Sequence, residues 1–63
     1  MDKDLLFEYV ERLCRAKPGS APMEKVLYDI FVKEFIEKGY TQIEAEQSVQ
    51  YIFDKYHGLI AEW

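Results

Sequence analysis

The chain is poor in the residues that make turns, cross-links and cofactor cradles. Among its 63 residues are three glycines, two prolines, one cysteine and no asparagine. So little turn chemistry allows few connections, which excludes a sandwich or barrel of many short strands. The lone thiol, Cys14, excludes an intramolecular disulfide and a cysteine-based metal cage. Long apolar runs are missing too. The longest, such as Leu5-Leu6-Phe7 and Ile30-Phe31-Val32, have three residues, against the roughly 20 needed to span a bilayer. The opening Met1-Asp2-Lys3-Asp4 does not lead into a secretory signal. These features predict a soluble, cytoplasmic protein with no membrane partner.

Positive charge is also short. Eight Lys and Arg face twelve Asp and Glu, for a net charge of −4. Residues 39–63 carry one positive and four negative charges, so the acidity lies in the last third. Phosphate tracking needs clustered cations, and nucleic acid is therefore a disfavoured partner. The three glycines, Gly19, Gly39 and Gly58, are isolated, which leaves no glycine-rich phosphate loop and no nucleotide site.

Large apolar side chains are abundant. The chain is 49% hydrophobic, and ten residues are aromatic, so it folds rather than remaining disordered. Their periodicity predicts an all-α domain of three helices. The first covers about residues 4–16 by its ~100° periodicity. It places Leu5, Leu6, Phe7, Tyr9, Val10, Leu13 and Cys14 on one broad side, with Cys14 packing as a small hydrophobe. Glu8 with Arg12 and Glu11 with Arg15 are i,i+4 pairs on its polar side. Lys17-Pro18-Gly19-Ser20 is the linker, Ser20 a candidate cap, and Pro22 a first-turn residue.

The second helix covers about residues 21–38 and is apolar nearly all round. Asp29, Lys33 and Glu37 make its polar stripe, and Glu34 and Lys38 form an i,i+4 pair. Such a helix is expected to be central, with the first helix packed across it. Gly39 is a stop signal, and Thr41-x-x-Glu44 is a capping box with Tyr40 as its staple. A link this short predicts a tight αα-hairpin with a third helix of about residues 42–57. Ala45, Val49, Ile52, Phe53, Tyr56 and Ile60 form its apolar stripe. Gly58 leaves the end of that helix open, with a frayed or bent terminus favoured and Trp63 partly packed.

Gly39-Tyr40-Thr41 followed by Ala45 resembles the Gly-aromatic loop of ubiquitin-associated domains, which are also three-helix bundles. The likeness covers about seven residues, and a glycine cap followed by an aromatic staple yields the same letters. The resemblance therefore expresses a packing rule and assigns no family.

Little catalytic chemistry is available. His57 has no nucleophile near it in sequence, and Asp54 with His57 is one Asp-x-x-His pair without a second histidine. No enzyme activity, metal or other cofactor is expected. Gln42, Gln47 and Gln50 on the third helix suit base-edge contacts, but Glu44, Glu46 and Asp54 outnumber Lys55 beside them. One alternative is a dimeric DNA-associated regulator contacting phosphates through Arg12, Arg15 and Lys17. Another is a structural subunit of a larger assembly.

Ten aromatics exceed what one small core buries. The leading expectation is a non-enzymatic protein-interaction module: a small acidic regulator, of the size of a phage or mobile-element accessory protein. It is expected to form a homodimer and to bind an unidentified protein partner. The contact residues are Val26, Leu27, Ile30, Phe31, Phe35 and Trp63.

Overall fold

Short-range signals start and stop every helix. In the computed structural model, which describes residues 2–61, α1 spans Lys3–Ala16, α2 Ala21–Glu37 and α3 Gln42–Ala61. The Asp2 carboxylate caps α1 by accepting the Asp4 N–H at 3.0 Å. At the other end Lys17 turns left-handed (φ 49°, ψ 59°), and its N–H donates to the Leu13 carbonyl at 3.0 Å. Pro18 follows and cannot continue the helix. Ser20 stands at the N-cap of α2, but its side chain makes no capping hydrogen bond, and Pro22 lies in the first turn.

The α2–α3 corner follows the sequence signals closely. Gly39 adopts φ 105°, which an L side chain rarely reaches. Its N–H donates to the Ile36 carbonyl at 3.0 Å, and the Tyr40 N–H to the Phe35 carbonyl at 3.2 Å. These two bonds make a Schellman motif, and its usual apolar contact is the Tyr40 ring on Phe35, with centroids 5.3 Å apart. The capping box is reciprocal. Thr41 Oγ1 accepts the Glu44 N–H at 3.2 Å, while Glu44 Oε1 accepts the Thr41 N–H at 2.9 Å. Those bonds hold the Glu44 carboxyl below the usual range.

Helix α3 continues through Gly58 to Ala61, beyond the end expected near residue 57. A methyl group placed on Gly58 would meet open space. The placement expected for Trp63 lies outside the described residues.

The core gathers Leu6, Tyr9, Val10 and Leu13 from α1, Phe31, Val32 and Phe35 from α2, and Ala45, Val49, Ile52, Phe53 and Tyr56 from α3. The central helix is α3, not α2. Both other helices approach it, whereas the Cα traces of α1 and α2 nowhere come within 8 Å of each other. Aromatic rings fill the interval. Tyr9 meets Phe31 and Phe35 edge-on, with both centroid distances 4.9 Å. Large side chains hold the two backbones apart, so α2 covers less of α1 than its apolar content suggested. Ser48 is fully buried on α3, and its hydroxyl donates to the Glu44 carbonyl at 2.7 Å.

Two further expectations are corrected. Cys14 is exposed rather than packed, because it lies on the flank of α1 away from Tyr9 and Leu13. Neither Glu8–Arg12 nor Glu34–Lys38 forms. Arg12 and Glu34 instead pair with each other across the α1–α2 interval.

Candidate functional site

The Arg12–Glu34 pair is a surface cluster of three hydrogen bonds that joins α1 to α2. Arg12 Nη1 donates to Glu34 Oε1 at 2.7 Å and Nη2 to Oε2 at 3.1 Å, a bidentate fork. The Tyr9 hydroxyl donates to the same Oε1 at 2.7 Å. The guanidinium also lies over the Tyr9 and Phe31 rings, 4.9 and 5.0 Å from their centroids. Hydrogen bonding from Arg12, then from Tyr9, holds the Glu34 carboxyl below its ordinary value against the opposing effect of burial. Burial first, and the Glu34 carboxylate second, push the Tyr9 hydroxyl up to about 12.

This cluster is a clasp between helices. It engages two of the five N–H donors of Arg12, one member of the expected phosphate-contact set Arg12, Arg15 and Lys17, and pairs that charge with Glu34. Arg15 is held by Glu11 at 3.1 Å, and Lys17 is exposed.

Of the expected contact residues, Phe31 and Phe35 are 1% and 0% exposed. They belong to the core and cannot anchor a partner. Leu27 is half-buried against that core. Val26 and Ile30 remain, 51% and 43% exposed. The structure adds two residues outside the expected set, the exposed Met23 and Ile36. A signal for Met23 was present. Met23, Val26 and Ile30 follow the i, i+3, i+7 spacing of one helix face, opposite Phe31 and Phe35.

Val26, Ile30 and Ile36 line one depression, and Met23 lies one turn before Val26. A shallow depression between α2 and the start of α3 is lined by Val26, Ile30, Val32 and Ile36, with Asp29, Lys33, Gln42 and Glu46 along its sides. Asp29 also lies 3.7 Å from Lys25. Its floor offers apolar contact and its rim offers ion pairing, but it holds no arrangement of nucleophile and base.

His57 takes a structural place. Its Nε2 lies 2.7 Å from Glu24 Oε1, tying the start of α2 to α3, and its ring packs near Phe53 and Tyr56. Among the described residues, no group of three or more His, Cys, Asp or Glu side chains could hold a metal ion. No helix among them is long and apolar enough to cross a membrane.

No protein-family model, curated protein or solved structure matches this chain. The functional reading therefore rests on the chemistry of the surface alone.

Proposed function

We propose that this protein is a non-enzymatic interaction module whose contact surface is the outward face of α2. One observation carries the reading. Met23, Val26, Ile30 and Ile36 are between 40% and 53% exposed, although α2 has α3 on one side and the clasp to α1 on the other. Single exposed apolar residues are ordinary, but a connected group on one helix with a charged rim has the composition of an interface. Covering such a face removes apolar area from water at about 25 cal/mol per Å². Little of the fold opposes this, because none of the four side chains belongs to the core.

A photo-activatable cross-linking residue at position 30 tests the reading, with the same residue at exposed Glu8 on the polar side of α1 as control. In purified protein and in cell extract, position 30 is expected to give discrete adducts and position 8 none. An adduct pattern that is the same at both positions, or absent at position 30, overturns the proposal.

A further inference from the structure

We infer that the occupant of the α2 face is a second copy of this chain, which presents the groove between its own α1 and α3, so that copies join head to tail. The inference rests on the reading of α2 as a contact surface and adds the identity of what it contacts.

The molecule carries a second apolar surface whose lining charges are all lysines. Two depressions lie between α1 and α3. Phe7 and Tyr51 line the first, with Lys3 and Lys55. Tyr56, Ile60 and Cys14 line the second, with Lys17. Among the described residues, no carboxylate lines either of them. Phe7 is 61% exposed, and the Lys55 ammonium lies 5.5 Å from the centre of the Tyr51 ring. An exposed aromatic between lysines is an anchor with a cationic rim. The α2 depression instead holds two carboxylates, Asp29 and Glu46, beside Lys33, with Lys25 3.7 Å from Asp29.

Charge therefore favours cross-pairing over pairing like with like. The α2 face, of mixed charge, offers Asp29 and Glu46 to the lysines of the other face, whereas two α1–α3 faces bring three lysines toward three. Like-charge juxtaposition across an interface discriminates against such partners. Placing one face on the other sets the lysine rim against Asp29 and Glu46 and covers apolar surface on both.

Position allows both faces to work at once. They share no lining residue. On α3, Glu46 and Lys55 are nine positions apart, which is about 180° around the helix. A contact between two different patches is heterologous, and it repeats into a ring or an open chain instead of stopping at a two-fold dimer. Two faces of about 800 Å² each are the size of ordinary interfaces. Together they take roughly a third of the 4610 Å² surface.

Sedimentation equilibrium on complementary variants tests this. At low ionic strength the wild type is expected to exceed two chains as concentration rises, and added salt to weaken the assembly. Ile30→Glu spoils one face and Phe7→Glu the other, so each alone is expected to stay at the 7.5 kDa of one chain. Their equimolar mixture is expected to reach the mass of two chains and no more, because one intact face of each kind remains. Circular dichroism confirms folding, and Lys55→Glu replaces Phe7→Glu if that variant unfolds. Three results overturn the inference: a wild type that stays at one chain, a mixture that does not associate, or a Phe7→Glu variant that assembles like wild type. The cross-link at position 30 separates these from failure of the underlying reading. An adduct there with a different protein leaves α2 a contact surface, and no adduct removes both.

Discussion

Replacing Glu34 with alanine should cost this protein a large share of its stability. The carboxylate accepts from Arg12 twice and from Tyr9 once. Arg12 and Glu34 keep 46% and 31% of their side-chain exposure, so water screens the ion pair, and its share is about 0.5–1 kcal/mol. Tyr9 is only 3% exposed. Its hydroxyl would lose its acceptor, at about 1–2 kcal/mol. The sum is about 2 kcal/mol, from a core that at this length supplies about 3–5 kcal/mol. Thermal melting followed by circular dichroism should show a midpoint roughly 8–16 °C lower, at about 4–8 °C per kcal/mol for a domain this small.

A double variant separates the contributions. Tyr9→Phe removes the hydroxyl but keeps the ring against Phe31 and Phe35. Tyr9→Phe with Glu34→Ala should therefore destabilise by less than the two single changes added together, because no unpartnered hydroxyl remains. The effect also has a pH signature. The Glu34 carboxyl is held below its ordinary value in the folded protein. Its stabilisation is thus present above the unfolded value near 4.3 and lost as pH falls through the folded one. The gap between wild type and Glu34→Ala should narrow in that acid window by the ion-pair share, because a protonated carboxyl still accepts the Tyr9 hydroxyl. A midpoint drop below about 4 °C at neutral pH, or strict additivity in the double variant, would refute the clasp as a stabilising unit.

The clasp has an alkaline counterpart in Tyr9, whose hydroxyl is pushed up to about 12. The neutral form is favoured by folding, so stability from this group is whole below pH 10 and falls as pH rises toward 12. Titration of tyrosinate absorbance should show a late component that is absent in Tyr9→Phe. The two helix-associated glycines should respond with opposite signs. Gly58→Ala enters open space inside a helix and should stabilise by up to about 1 kcal/mol. Gly39→Ala forces a side chain to φ 105° and should destabilise by about 1–2 kcal/mol. Urea midpoints of the two variants check both, and a matching sign would contradict the corner geometry.

Local chemistry was legible in the letters. Pro18 ending α1, Gly39 ending α2, and Thr41 with Glu44 starting α3 depend on residues within a turn or two of each other. Short-range hydrogen bonding and φ preferences settle them wherever the segments lie. The all-α class and the apolar stripe of α3 from Ala45 to Tyr56 follow from the same periodicity.

What the letters left open was the choice among near-equivalent partners. On α2, apolar residues surround most of the helix. Periodicity there gave little reason to bury Phe31 and Phe35 while leaving Val26 and Ile30 out, so two core residues stood among the expected contacts. Arg12 and Glu34 each had an i,i+4 partner in sequence, yet they chose each other across two helices. That pairing gives two hydrogen bonds and two aromatic faces at once, more than a screened surface pair supplies. Continuation through Gly58 was likewise undecided by propensity alone, which only penalises glycine there. The tertiary structure decided these matters because each compares contacts between segments distant in sequence, and their geometry exists only once the helices have packed.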